Sequence, residues 1–205
     1  MAYVTPGTVA AGDVATAAAW NVLTNDVIDH ETRILSAAKT IQTITLTTAG
    51  AITFSSIPQT FSHLQIFYRV RVAKAVGPHA LCIRLNADSG ANYSFNFTRT
   101  NNATVSGGVT IGTSLPVVGI VGGAGATAGY FGAGIINIVS YANTSYQKHY
   151  NASSDLFDTS NALCFVQLTG GLYTSTSAIT EISLLDDSGT NSHAIGSTAT
   201  LIGIA

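Results

Sequence analysis

The chain has 205 residues, of which 46% are hydrophobic and 9% charged, and its formal net charge is −2. A typical soluble domain is about 25% charged, so this surface is poorly protected against self-association. We therefore expect much of it to be buried in an assembly; the alternative is a monomer with a surface rich in Ser, Thr and Asn. No basic cluster occurs, which argues against a nucleic-acid partner, because binding phosphates requires a positive patch.

The first 39 residues differ in pattern from the rest, and we expect 1–39 to form a separate arm and helix. Residues 1–12 have no helical period and predict an extended arm. Asp13 or Thr16 can cap a helix that runs to about Ala38, because their side chains accept an unpaired backbone N–H. Apolar residues recur at the a and d positions of two heptads, with one polar member: Trp20, Leu23, Val27, His30 and Ile34.

These heptad residues are the predicted anchor or oligomer contact. Two heptads are too short to hold a helix alone. The helix therefore either joins a bundle on an oligomer axis, with a homotrimer as the expected assembly, or packs on its own β domain. No basic residue precedes Arg33, which argues against a signal peptide.

From residue 40 onward the pattern is β, and we expect one domain over 40–205. Apolar and polar residues alternate most clearly from Leu64 to Val72, where Arg69 and Arg71 are expected to face solvent. The spacing of strands and turns predicts an antiparallel β-sandwich, jelly-roll-like, of about nine or ten strands. The predicted strands are 40–47, 51–57, 64–72, 80–87, 92–98, 117–121, 130–140, 162–168, 178–185 and 194–204, with a loop around a short strand at 99–108 and a polar crossing at 143–158.

One long stretch, from Thr100 to Gln147, carries no charge. Its apolar part, 115–139, is long enough for a membrane span, but its glycines favour two strands and a loop, and no positive flank marks an inside end. We therefore expect no membrane partner. A long uncharged loop is a candidate contact for a neighbouring chain, and its glycines are Gly122, Gly123, Gly125 and Gly129.

The sequence contains no recognisable catalytic or metal-binding motif, and we expect neither enzyme activity nor a cofactor. Asp186, Asp187 and Asn191 offer oxygen ligands of the kind that Ca²⁺ prefers, although turns commonly contain these residue types. Cys82 and Cys164 fall in predicted strands, where the expected role is that of a small buried hydrophobe. Their spacing does not suggest a disulfide.

Several short motifs resemble a β-sandwich module that is common in tailed-phage virion proteins. Their order and spacing fit the module over residues 41–205, whereas 201–205 depart from its usual aromatic-rich final strand. The matching segments are 57–65 (IPQTFSHLQ), 84–90 (RLNADSG), 92–94 (NYS), 138–144 (IVSYANT), 170–173 (GGLY) and 178–180 (AIT).

The resemblance implies a sandwich fold and a place in a virion assembled in the bacterial cytoplasm, and it carries no catalytic residues. The predicted arm, with Gly12-Asp13, Thr16 and Trp20-Asn21 after it, is also similar to the N-terminal adaptor segments of phage head and tail appendage proteins. The resemblance does not distinguish head from tail proteins. Because the chain is short and has no long fibre shaft, we expect a capsid decoration or cement protein, held by its N-terminal segment on other virion proteins (the major capsid protein or tail components). The alternative is a tail fibre or baseplate protein that binds host surface glycan, for which an aromatic platform is expected among Tyr93, Tyr141, Tyr146, Tyr150 and Tyr173.

Overall fold

The computed structural model describes residues 37–75, 77–124, 126–127, 129–158 and 163–205. The predicted arm and helix, with Trp20, Leu23, Val27, His30 and Ile34, lie outside the described residues. Ala38, near the expected helix end, begins the first strand. The described residues form twelve strands: β1 (Ala38–Thr45), β2 (Ile52–Phe54), β3 (His63–Val72), β4 (Pro78–Leu85), β5 (Tyr93–Asn101), β6 (Thr104–Thr113), β7 (Val117–Gly123), β8 (Gly132–Val139), β9 (Lys148–Asp158), β10 (Leu163–Tyr173), β11 (Ile182–Leu185) and β12 (Thr198–Ile204).

Eight strands pair antiparallel in the order β1-β12-β3-β8-β9-β10-β5-β6, and the other four in the order β2-β11-β4-β7. The two parts join where Arg71 and Val72 of β3 pair parallel with Gly122 and Gly123 of β7. This is possible because β3 continues beyond Val70, the last residue that it pairs with β8. The fold is mainly β, as predicted, but its sheet is mixed, so the expectation of purely antiparallel pairing is wrong at this junction.

Side chains from both parts of the sheet meet in one hydrophobic core. The alternation predicted for β3 is confirmed at the positions expected to face inward, which are all buried: Leu64, Ile66, Tyr68, Val70 and Val72. Three strands of the four-stranded part also contribute to this core: Ile52 and Phe54 from β2, Leu81, Ile83 and Leu85 from β4, and Ile182 and Leu184 from β11. The larger sheet therefore has one face on this core and one face away from it.

The strand β9 corrects the predicted polar crossing at 143–158. Burial alternates strictly along it, but the inward positions mix apolar and polar residues: Lys148, Tyr150, Ala152, Ser154, Leu156 and Asp158. The alternation of buried and exposed positions along β9 therefore does not show as an alternation of apolar and polar residues in the sequence. For the strand β6 the sequence predicts only a loop around a short strand. Its ten residues are almost all exposed, and glycines interrupt the alternation of its apolar residues.

Arg71 also departs from expectation, because it is buried whereas Arg69 is exposed. Arg71 lies where β3 stops pairing with β8 and begins to pair with β7. The loop that follows β7 covers the Arg71 side chain. Two strand boundaries differ from their predicted positions. The strand β7 extends to Gly123, two residues beyond its predicted end, and β11 begins only at Ile182, four residues after its predicted start.

Candidate interaction surface

The outer face of the eight-stranded sheet, turned away from the core, is the largest candidate site. Within the described strands its charged side chains are Arg69 and Asp155, whose neighbours in register are uncharged. Contiguous exposed apolar surface commonly marks an interaction site. The exposed apolar side chains on this outer face are Phe67, Val105, Val109, Ile111, Val139, Phe157, Val166 and Leu168.

A row of amide side chains crosses the middle of the outer face. Gln65, Asn137 and Asn151 lie directly opposite one another on β3, β8 and β9. Gln65 Nε2 donates to Asn137 Oδ1 at 2.7 Å, and Asn137 Nδ2 donates to Asn151 Oδ1 at 2.9 Å. Cross-strand pairs of this kind stabilise a sheet, and here they orient polar groups without adding charge.

Two shallow grooves lie on the outer face beside this amide row. One, of about 510 Å³, lies over Gly170 and includes Asn96, His149, Asn151 and Leu172 in its lining. It exists because Gly170 has no side chain: a Cβ there would meet no atom within 4 Å. The other, of about 460 Å³, is lined by residues that include Phe67, Arg69, Ile135 and Asp155. Both grooves combine apolar walls with hydrogen-bonding groups.

The motifs that carry the phage resemblance meet in one hydrogen-bond network below this face. Asn86, at a left-handed φ of 52°, accepts hydrogen bonds from the backbone N–H of Thr180 and Glu181 and donates to the Ala178 carbonyl. Asparagine suits this position because it tolerates the left-handed conformation and bonds nearby backbone. The segments 84–90 and 178–180 are therefore joined by one side chain.

Asp88 organises the neighbouring turn in the same network. Its carboxylate accepts hydrogen bonds from the Gly90 N–H, the Asn92 amide and the Tyr173 hydroxyl. These bonds lower the pKa of Asp88, with the Gly90 N–H contributing most. Tyr93 stacks on Tyr173, with ring centroids 4.7 Å apart. The motif residues here therefore join the turn between β4 and β5 to the end of β10 and to segment 178–180.

A buried lysine, Lys148, holds two loops of the domain together through hydrogen bonds to their carbonyl oxygens. Lys148 is 1% exposed, and its Nζ donates to the carbonyl oxygens of Asn143, Tyr146 and Thr176. Burial lowers the pKa of this amine. A side chain that satisfies three loop carbonyls at once has a structural role, because those carbonyls would otherwise lack a donor.

Arg71 orders the loop that follows β7. Its guanidinium donates to the carbonyls of Gly123, Ala124 and Ala126 and lies 5.5 Å from the centre of the Phe131 ring. The planar fork of arginine suits several acceptors in one region. The described part of this loop is thereby tied to the core by the buried arginine.

The glycines of the predicted partner-contact loop fall in different environments. Gly122 and Gly123 are buried in β7, and a Cβ on Gly123 would overlap the Ala75 carbonyl oxygen. Gly129 is exposed, with a φ of 90°, and Gly125 lies outside the described residues. The contact itself stays a prediction, and of the three described glycines Gly129 is the exposed one.

The three candidate calcium ligands are engaged by other groups of the protein, and Lys74 pairs with both aspartates, at 3.8 Å from Asp186 and 2.5 Å from Asp187. Asp186 Oδ1 accepts from the backbone and hydroxyl of Ser188 and from the Thr190 N–H. Asp187 pairs with Lys74 and His79, and the amide of Asn191 bonds to β2. Burial opposes ionisation of both aspartates, but these hydrogen bonds lower their pKa values. Among the described residues no group of three His, Cys, Asp or Glu side chains is placed to hold a metal.

The predicted tyrosine platform is mostly inside the domain. Tyr93, Tyr141, Tyr150 and Tyr173 are at most 2% exposed, whereas Tyr146 is 69% exposed. The two cysteines are free; Cys82 is buried, as predicted, and Cys164 is half-buried. The apolar run 115–139 contains β7 and β8, and no helix among the described residues is long and apolar enough to span a bilayer.

The chain matches no family model, no curated protein and no solved structure. Its function is therefore inferred from its own residues and their geometry.

Proposed function

We propose that this chain is a non-enzymatic structural protein of a tailed-phage virion, and that it decorates the capsid. Residues 1–39 are the anchor in this proposal, with a homotrimer contact through Trp20, Leu23, Val27, His30 and Ile34. The β domain, as a two-layer sandwich, forms the cover. The motif resemblance supports the virion setting.

The observation that carries the proposal is the outer face of the eight-stranded sheet. It presents exposed Phe67, Leu168 and Val109 beside an uncharged amide row. The core of a protein interface is depleted in charged residues and rich in apolar ones, and this face has that composition. Burying apolar area contributes about 25 cal/mol per Å², so a shell protein that covers this face would stabilise the contact.

The test combines imaging with binding. Cryo-electron microscopy of the particle is expected to place the chain at high copy number on the capsid lattice, with residues 1–39 against the shell. Purified shells that lack the chain should bind the wild-type protein and lose binding of a Leu168→Lys variant. Density at the distal end of the tail alone, or absence from the particle, would contradict the decoration role.

The alternative, a tail fibre or baseplate protein that binds host glycan, has one supporting observation. The groove over Gly170 places Asn96, Asn151 and His149 beside Leu172, and a few polar groups beside an apolar wall can orient a sugar. The buried tyrosines remove the aromatic platform expected for it. A glycan array with Asn151→Ala as the matched variant distinguishes this alternative, since binding that disappears in the variant would favour host recognition.

A further inference from the structure

The edge of the larger sheet at β6 lacks the usual protection against pairing with another strand. Natural edge strands carry lysine, proline or a central bulge that blocks further pairing. The ten residues of β6 contain no charge and no proline, and their pairing irregularity lies at the end, near Ile111 and Thr113. Among the described strands β6 pairs only with β5, whereas the opposite edge, β1, carries the exposed Lys39.

The hydrogen-bond pattern of β5 shows which backbone groups of β6 point away from β5. The Asn102 N–H donates to the Cys164 carbonyl at 2.8 Å, so even-numbered residues of β5 turn their backbone groups toward β10. Odd-numbered residues of β5 therefore bond to β6, where their partners are Thr104, Ser106, Gly108 and Thr110. Because the two sides of a strand alternate, the N–H and C=O groups of Val105, Gly107 and Val109 point to the open edge.

The sequence of this edge is nearly symmetric about Gly107. From Thr104 to Thr110 it runs T-V-S-G-G-V-T. An antiparallel second copy centred on Gly107 places Val105 opposite Val109 of that copy and Thr104 opposite its Thr110. A twofold contact requires a surface that is complementary to itself, and the symmetry of the segment meets that requirement.

The strand register, the alternation of side chains and the positions of the open backbone groups are all compatible with a twofold axis at Gly107. Residues directly opposite each other must have side chains on the same face of the sheet. In the Gly107-centred register, the residues with open backbone groups face each other. Three hydrogen-bonded pairs would form, and each exchanges two bonds, about six in all. The exposed side chains of Val105 and Val109, at 68% and 67%, would then pack across the seam.

We propose that β6 pairs antiparallel with β6 of a second copy of this chain, with the twofold axis at Gly107, so that the two larger sheets become continuous. The absence of charge from Thr100 to Gln147 removes like-charge repulsion at the seam. The contact does not depend on the virion proposal. It is also separate from the threefold contact predicted for 20–34.

Charge substitutions across the seam test both the contact and its register. Sedimentation equilibrium of the full-length chain is expected to give an even number of chains. The Val105→Lys/Val109→Lys variant sets lysine against lysine and should raise the dissociation constant at least about 100-fold, halving the mass. The Val105→Lys/Val109→Glu variant sets opposite charges together and should restore the wild-type mass.

Ile195→Lys is the matched control, because Ile195 is 63% exposed but lies just before β12, which is six strands from β6 in the pairing order. It should leave the mass unchanged. A wild-type chain that is monomeric or odd-numbered at every concentration would overturn the proposal, as would an unchanged mass in the two-lysine variant. A charge pair that fails to restore the mass would overturn the Gly107 register.

Amide hydrogen exchange on the wild-type chain gives a second test that needs no substitution. The N–H groups of Val105, Gly107 and Val109 should gain protection as protein concentration rises. Those of Ser106 and Gly108, already bonded within the chain, should be protected throughout. Fast exchange of the first set at all concentrations would contradict the pairing.

Discussion

Tyr173 donates a hydrogen bond to the carboxylate of Asp88 at 2.9 Å, between residues 85 positions apart in the chain. The end of β10 is thereby fixed to the turn between β4 and β5, where Asp88 also accepts from Gly90. Both residues belong to motifs that resemble the phage module. The contact joins the segments 84–90 and 170–173 in the folded domain.

Removal of this hydroxyl should weaken the domain. Tyr173→Phe is expected to lower the free energy of unfolding by about 2 kcal/mol, because the bond is to a charged acceptor. The pKa of Asp88, held low by the Gly90 N–H and then by Asn92 and Tyr173, should rise. Denaturant unfolding and an NMR titration measure the two effects. Tyr146→Phe, at an exposed position, is the control and should change neither.

Adjacent glycines on β10 should respond oppositely to alanine. A Cβ on Gly171 would overlap the ring of buried Tyr150, whereas a Cβ on Gly170 would meet no atom within 4 Å. Gly171→Ala should destabilise by about 3 kcal/mol through overpacking, and Gly170→Ala should stabilise by about 0.5 kcal/mol because glycine loses more backbone entropy. Thermal unfolding of the two variants checks this, and equal effects would contradict the packing of Tyr150.

Replacement of the buried Lys148 should lower the free energy of unfolding more than replacement of an exposed lysine. Lys148→Met keeps most of the side-chain volume but leaves three carbonyls without their donor, and we expect a loss of about 3 kcal/mol. Lys39→Met, at an exposed lysine, should stay within about 0.5 kcal/mol of wild type. Urea unfolding of both variants is the measurement. A small effect at Lys148 would mean that water replaces the ammonium group without cost.

His193 should make stability depend on pH in mildly acidic solution. The ring is fully buried, its Nε2–H donates to the Leu184 carbonyl at 3.0 Å, and burial lowers its pKa below 6.5. The unfolded chain therefore binds a proton more readily than the folded chain once the pH falls below about 6.5. Stability should decrease there by at most about 1.4 kcal/mol per pH unit, down to the lowered pKa.

The comparison that isolates this residue is the slope of stability against pH between 6.5 and 5. His193→Gln should flatten the slope even if it lowers stability overall, whereas His149→Gln, at an exposed position, should leave the slope as it is. The lowered pKa values of Asp88, Asp186 and Asp187 start from 3.8, so their protonation falls below this window. An unchanged slope in His193→Gln would contradict the assignment.

Much of the β fold could be predicted where burial follows hydrophobicity. The alternation from Leu64 to Val72 indicated β3, and its apolar members are buried. The same rule failed at Arg71 and along β9, where Lys148 and Ser154 lie inside. Of the candidate site, the sequence indicated an uncharged surface suited to assembly, but it did not indicate which strands would form one face.

The amino-acid sequence by itself determined the β class, the inward positions of the apolar strands and the low charge of the surface, because these depend on local period and composition. Only the tertiary structure decided which polar groups are buried and which edge stays open. Lys148 can be inside because Thr176, on another loop, brings a carbonyl to it. The edge at β6 is open because β5, its neighbour in sequence, is its only described partner, and such pairing is decided by the whole sheet.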